Sequence, residues 1–258
     1  MEIFQHSETW VALLTLIFLQ IVLGIDNIIF ISIAASKLKD KIRKKAINIG
    51  MIIAMVLRIL LLFAISSLTA LNKPFYSFKN DWFNVDVTGQ AVILLIGGIF
   101  LLYKSVDEIH EKIEGIEHNE SEESTPKSTS FGNAIVQISI INVVFSFDSI
   151  LTAVGMTNGV QGSLTIMIVA VVISVIIMIL FANPVSNFVS KHPTIQMLGL
   201  SFLILIGFML IAEAAHMSKL SFFGSHVGLI PKGYLYFTIA FSLALEFINM
   251  KVRKKPIK

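Results

Sequence analysis

The sequence predicts an all-α, polytopic membrane protein of seven transmembrane helices, arranged as two inverted three-helix repeats plus a seventh helix. Three observations support this fold class. The 258-residue chain is 55% hydrophobic and 14% charged, with a mean hydropathy of +0.81, which is too apolar for a soluble domain. Apolar runs of membrane-spanning length recur along it. Two of those runs share a polar segment centred on an aspartate.

Each apolar run can cross a bilayer as a helix, and none has the alternating pattern of a barrel strand. The runs lie at Trp10–Ala35, Ala46–Leu71, Thr88–Tyr103, Phe131–Gly155, Ser163–Phe181, Ile195–Ala215 and Tyr234–Met250. The predicted domains are a first three-helix repeat (1–106), an acidic cytoplasmic linker (107–130), a second, inverted three-helix repeat (131–216), and a seventh helix with a basic cytoplasmic tail (217–258).

Basic residues predict the orientation of the spans. Residues 37–45 carry six Lys or Arg, and the tail after Met250 carries five. Because basic loops stay in the cytoplasm, we expect a multi-pass protein of the bacterial inner membrane with its N-terminus outside and its C-terminus in the cytoplasm. Spans 1 and 4 then run in opposite directions, as an inverted repeat requires.

The two aspartate segments are QIVLGIDNI at 20–28 and NVVFSFDSI at 142–150. An ionised Asp near the bilayer centre costs roughly 2.5–3.5 kcal/mol, so it needs a partner or a wet cavity. Overlaying the segments aligns their amides, their small residues before the Asp, and the polar residues after it. The predicted ligands of a metal site near the membrane midplane are Asp26, Asn27, Asp148, Ser149, Asn142 and Gln20.

Further polar residues lie nearer the span ends. Glu213 and His216 in span 6 are three residues apart, as are Glu246 and Asn249 in span 7, and this spacing places each pair on one helix face. We interpret them as gating residues or secondary ligands, with solvated helix ends as the alternative. Arg58, inside span 2, either neutralises a carboxylate or tunes the affinity of the site.

The ligand chemistry limits the cargo. The chain has no Cys, which excludes thiolate metal sites and disulfides. Carboxylate and amide oxygens suit Mg²⁺, Ca²⁺ or Mn²⁺, and one imidazole would favour Mn²⁺. We expect no permanently bound cofactor but a transported divalent cation, with Mn²⁺ favoured and Ca²⁺ as the alternative. The sequence leaves proton coupling open.

Four stretches, GIDNIIFISIAASKL (24–38), FSFDSILTAVG (145–155), IAEAAHMSKL (211–220) and PKGYLYFTIAFSLALEFIN (231–249), resemble the TerC family of integral membrane proteins. The resemblance covers nearly the whole chain. It implies a seven-helix core and a link to tellurium resistance, manganese export and metal homeostasis. By position it implies a central acidic site and a second polar group, formed by Asp26, Asn27, Asp148, Glu213, His216, Glu246 and Asn249.

We therefore expect a divalent-cation exporter and not an enzyme. An intramembrane aspartyl protease would carry GxGD and a Tyr-Asp pair, whereas this chain has Gly24-Ile25-Asp26 and Phe147-Asp148. A retinal protein needs a Lys in its last span, and Tyr234–Met250 contains none. The alternative is a non-transporting assembly or metal-loading factor for other membrane proteins. The expected partners are the lipid bilayer and the cation, with no nucleic acid and with oligomerisation left open.

Overall fold

The structure, a computed structural model, describes residues 7–22, 24–36, 38, 40–64, 73–117, 131–157, 159–160 and 162–253. The helices among them are α1 (Ser7–Val22), α2 (Ile25–Ser36), α3 (Asp40–Phe63), α4 (Gly89–Glu117), α5 (Phe131–Thr157), α6 (Ser163–Lys191), α7 (Pro193–Met217) and α8 (Lys232–Arg253). In this part of the chain, seven helical segments are long and apolar enough to cross a membrane, with α1 and α2 together forming the first. The predicted all-α, seven-span fold class is confirmed.

The chain divides into two compact units. Unit 1 comprises residues 1–70 and 124–191, and unit 2 comprises residues 71–123 and 192–258. Each unit therefore takes helices from both predicted repeats. Spans 1, 2, 4 and 5 belong to unit 1, and spans 3, 6 and 7 belong to unit 2. The predicted domain boundaries, which follow sequence repeats, stay a prediction.

Three packing contacts hold unit 1 together: span 5 on span 1, span 4 on span 2, and span 2 on span 5. Helix α6 packs on α1 and α2, α5 packs on α3, and α3 packs on α6. Small residues permit the close approach: a side chain on Gly50 of α3 would overlap Ile138 of α5, and one on Gly24 would overlap the sulfur of Met178 of α6. Such small residues at helix crossings are typical of packing within membranes.

Unit 2 is built on the pairing of α4 with α7. A Cβ atom on Gly98 of α4 would lie 2.7 Å from the carbonyl oxygen of Gly207 in α7, and a Cβ on Gly207 would lie 3.0 Å from the carbonyl oxygen of Gly98. The two backbones therefore touch, and neither glycine has room for a side chain. Helix α8 packs on α7, with only 11% of its most apolar stretch buried within the protein, as expected for a lipid-facing span.

A small antiparallel sheet in unit 2 was not predicted. Strands β1 (Pro74–Lys79) and β2 (Phe83–Thr88) precede α4, whereas β3 (Ser221–Phe222) and β4 (Ser225–His226) follow α7. The strand order is β1-β2-β3-β4, and β2 pairs with β3. This pairing places the loops before span 3 and after span 6 at the same end of unit 2, as the predicted topology requires.

Two helices extend into segments that the sequence predicts to be charged cytoplasmic loops. Helix α3 begins at Asp40, inside the predicted basic loop. Arg43 in its first turn donates to the carbonyl oxygens of Ala35 (3.3 Å) and Leu38 (3.2 Å). A cationic donor at the last carbonyls of a helix stabilises that end, so this residue of the basic loop also caps α2.

The other changed boundary lies in the predicted acidic linker. Helix α4 continues to Glu117, so the segment from residue 107 to 117 is helical, and residues 118–130 lie outside the described residues. Lys104 binds Asp107 at 2.8 Å and Glu108 at 3.3 Å, and Glu108 is 1% exposed. Lys112 donates to Gln196 of α7. The ion pairs of Lys104 lie within α4, and the bond of Lys112 to Gln196 joins this end of α4 to α7.

The contact between Gly98 and Gly207 predicts an unusual response to substitution. Gly98→Ala should lower the free energy of unfolding by about 1–3 kcal/mol because the added methyl group meets backbone and forces α4 and α7 apart. The matched control is Gly155→Ala in α5, where nothing lies within 4 Å of the added Cβ. There the intrinsic helix propensity should instead raise stability by up to about 1 kcal/mol. Thermal unfolding in detergent checks both, and equal stability of the two variants would contradict the packing.

Candidate cation site in unit 1

The two predicted central carboxylates lie on separate helices of unit 1. Asp26 falls in the first turn of α2, directly after the break in span 1, and Asp148 falls within α5. The side chains of both lie outside the described residues. The residues that directly follow them in the sequence, Asn27 and Ser149, are both buried.

Span 1 is discontinuous where the candidate site begins. Helix α1 ends at Val22 and α2 starts at Ile25, with Gly24 between them donating its N–H to the carbonyl of Ile21 at 3.0 Å. The predicted single helix is thus two half-helices. Broken membrane helices of this kind are tolerated where they border a protein-lined cavity and are a common source of ion ligands in transporters.

A small buried cavity lies beside this break. Its volume is about 10 Å³. This is room for one water molecule or a bare ion. Spans 1, 2, 4 and 5 all contribute to its lining, which consists of Asn27, Ile31, Met51, Ala54, Met55, Arg58, Asn142, Val175 and Met178. Two of the predicted ligands, both amides, therefore share one cavity with the membrane-embedded arginine.

Asn27 has an unsatisfied oxygen at this cavity. The residue is 4% exposed, and its Oδ1 accepts no hydrogen bond from the described residues. A buried amide oxygen without a donor is costly, on the order of 1–3 kcal/mol, and such atoms call for an explanation. An amide oxygen is also a ligand that hard and borderline divalent cations accept.

Arg58 carries its positive charge into the same cavity. The residue is 4% exposed, and its Nε donates to the hydroxyl of Ser146 in α5 at 3.0 Å. Ser146 in turn donates to the backbone carbonyl of Asn142. A buried guanidinium requires an anion. Away from the span ends, the carboxylates in the sequence of spans 1, 2, 4 and 5 are Asp26 and Asp148.

The remaining predicted ligands of unit 1 make structural hydrogen bonds. The hydroxyl of Ser174 in α6 lies 2.7 Å from Oε1 of Gln20, so Gln20 accepts a bond that joins α1 to α6. Ser149 donates to the backbone carbonyl of Ser146 at 3.0 Å. Both predicted ligands are buried. The described lining of the cavity includes neither of them, and their role as metal ligands stays a prediction.

Of the predicted gating residues or secondary ligands, Arg58 belongs to unit 1, and the other four belong to unit 2. Glu213 in α7 is partly buried, and His216 is exposed with its Nδ1 at 3.1 Å from the carbonyl oxygen of Val227. In α8, Glu246 is partly buried and Asn249 is exposed. Within the described part of the chain, His and carboxylate side chains form no group of three or more that could hold a metal. Whether these residues act as gates or secondary ligands stays a prediction.

Sequence reasoning missed the sulfur atoms at this cavity. Met51 and Met55 come from α3, and Met178 comes from α6. Single methionines in apolar runs carry no signal, because they are ordinary core residues. Aligning span 2 with span 5, as their places in the predicted repeats imply, is the signal that would draw attention to these positions.

The chain is similar to known membrane proteins over its full length. The profile of the Integral membrane protein TerC family matches residues 5–256. The UPF0053 inner membrane protein YgdQ of Escherichia coli K12 is 44% identical over 248 residues, covering 96% of this chain and 95% of the relative. A UPF0053 protein of Haemophilus influenzae is 41% identical over 98% of both chains. The UPF0053 inner membrane protein YoaE of Escherichia coli K12 is 42% identical, and the match spans 46% of its length. No solved structure matches the chain.

The bond between Arg58 and Ser146 predicts a stability loss. Ser146→Ala removes the acceptor of a charged donor, and hydrogen bonds to charged groups contribute about 1.5–3 kcal/mol. We expect a destabilisation of that size in thermal or denaturant unfolding in detergent. Ser139→Ala on the same helix, at a partly exposed position, is the matched control and should change stability by no more than about 0.5 kcal/mol. Equal effects of the two substitutions would mean that the bond contributes little.

Proposed function

Because the chain belongs to the TerC family of integral membrane proteins, we propose that it exports a divalent metal cation, with Mn²⁺ favoured, across the bacterial inner membrane. Two relatives, YoaE and YgdQ of Escherichia coli, are named as inner membrane proteins. The observation that carries the proposal is the cavity of unit 1, which is lined by the buried Arg58 and by Asn27 with its unsatisfied amide oxygen. In the sequence, Asn27 directly follows Asp26, one of the two aspartates within the apolar spans.

The cargo is held by oxygen ligands near the membrane midplane. Asp26 and Asp148 supply the negative charge, and the amides of Asn27 and Asn142 supply neutral oxygens at the cavity. Gln20 and Ser149 lie outside the described lining of the cavity, where their oxygens make hydrogen bonds within unit 1. A site of this composition suits a cation of the Mn²⁺ or Ca²⁺ type.

Arg58 acts as a resident cation that competes with the cargo. Away from the span ends, spans 1, 2, 4 and 5 contain the carboxylates of Asp26 and Asp148 and the guanidinium of Arg58. When all three are ionised, their net charge is −1. Without cargo, the guanidinium neutralises one of the carboxylates. A bound divalent ion displaces it from that carboxylate, and its hydrogen bond to Ser146 keeps it at the cavity. Because the arginine returns when the ion leaves, binding is kept reversible, which transport requires.

Alternating access of two inverted repeats is the proposed route. The helix contacts of unit 1 support it, because exchanging span 1 with 4 and span 2 with 5 leaves their pattern unchanged. Arg58 of span 2 contacts Ser146 of span 4, and under this exchange the corresponding contact is that of Met178 of span 5 with Gly24 of span 1. Gly24 and Ser146 are also the small residues aligned in the sequence overlay. Related contacts on both sides of the cavity allow the two halves to open alternately around one site.

The decisive test is Mn²⁺ flux into liposomes that contain the purified protein. Asp26→Asn and Asp148→Asn should each lower the rate at least about tenfold, because an amide preserves shape while removing the charge that binds the ion. Asp81→Asn, an exposed residue after β1, is the matched control and should keep the wild-type rate. Running the assay with and without a pH gradient tests proton coupling.

Two outcomes would contradict export. One is wild-type flux in both amide variants of the central aspartates, and the other is no cation flux by the wild type under any gradient. Either outcome would favour the alternative, a non-transporting assembly or metal-loading factor, which tolerates an amide that keeps its hydrogen bonds.

A further inference from the structure

We infer that the thioether of Met178 is a soft ligand for the cargo, which makes the cargo a first-row transition-metal cation rather than Mg²⁺ or Ca²⁺. This inference rests on the proposed function, because it concerns the specificity of the same site. It goes further by adding a sulfur donor to a site that the sequence predicts to be made of oxygen and at most one imidazole.

The position of the sulfur is fixed by the break in span 1. Met178 lines the cavity together with Asn27, and its Sδ lies in the space that a side chain on Gly24 would occupy. The side chain is buried. The thioether therefore lies against the joint between α1 and α2, in the lining of the cavity that also contains Asn27 with its unsatisfied amide oxygen.

Two further thioethers extend this soft surface. Met51 and Met55 of α3 line the same cavity. Alkaline-earth cations bind oxygen and gain little from sulfur, whereas thioether ligands favour softer transition metals. A mixed set of amide oxygen and thioether therefore discriminates against Mg²⁺ and Ca²⁺, the divalent cations that oxygen ligands alone do not exclude.

The comparison of the two halves explains why a methionine at this position matters. Met178 contacts Gly24 as Arg58 contacts Ser146, so equivalent positions carry a neutral sulfur in one half and a positive charge in the other. A second arginine at 178 would cancel the remaining negative charge of the site. Leucine at 178 would fill the space without offering a donor. Methionine fills it and keeps a lone pair.

Selectivity is tested with three variants in the liposome assay. Mn²⁺ uptake is measured while Cd²⁺, a soft probe, and Ca²⁺ compete separately. We expect Cd²⁺ to inhibit at much lower concentrations than Ca²⁺ in the wild type, and Met178→Leu to reduce this preference at least about tenfold. Gly24→Ala should shift it in the same direction by displacing the sulfur. Met167→Leu, a buried methionine of the same helix, is the matched control and should keep the wild-type preference.

A structural readout separates this inference from the transport proposal. X-ray absorption of Cd²⁺ bound to the purified protein should reveal a sulfur neighbour, which must be a methionine because the chain has no Cys. Met178→Leu should remove it, and Met167→Leu should not. A sulfur neighbour without any cation flux would overturn transport but support the ligand. Absence of sulfur around the bound ion in the wild type, or an unchanged Cd²⁺ preference in Met178→Leu, would overturn the inference.

Discussion

The burial of charge within apolar helices is the constraint on which the structure of unit 1 depends. Arg58 is almost completely buried inside span 2, where an unpaired guanidinium would be strongly destabilising. Its hydrogen bond to Ser146 ties α3 to α5, and its charge demands carboxylates in the neighbouring spans. The helix arrangement that brings spans 1, 2, 4 and 5 around one cavity is therefore also the arrangement that buries Arg58 among the spans whose sequences contain Asp26 and Asp148.

The seven spans and the location of the polar centre could be predicted because both follow from strong, local energies. Twenty apolar residues in a row have few alternatives to a membrane helix, and an Asp within such a run requires a partner. The sheet in unit 2 could not be predicted, because strands of two to six residues carry little periodic signal and their pairing joins loops distant in sequence. The same holds for Glu108, whose burial depends on how α4 packs against α7.

The cavity lining was only partly predictable because polar and charged side chains are costly in an apolar run, whereas methionine is not. Asn27, Asn142 and Arg58 are costly in hydrocarbon, so their presence in apolar runs is informative. Met178 costs nothing there and becomes informative only when its contact with Gly24 is known. The break in span 1 was hidden for a similar reason. A single glycine in an apolar run indicates packing as readily as interruption.

The helix contacts of unit 1 follow the same pattern in both halves, whereas the side chains at the cavity differ between the halves. Together, these two features suit the proposed movement of an ion. Matching contacts on both sides of the cavity, α6 with span 1 and α3 with α5, provide two similar packings that can exchange at low cost. A perfectly symmetric site would hold like charges at equivalent positions and would have no reason to prefer one cargo. On the proposed function, the arginine in one half and the methionine in the other have separate tasks. The charge at Arg58 would limit the affinity so that an ion can leave, and the thioether at Met178 would select the ion that enters.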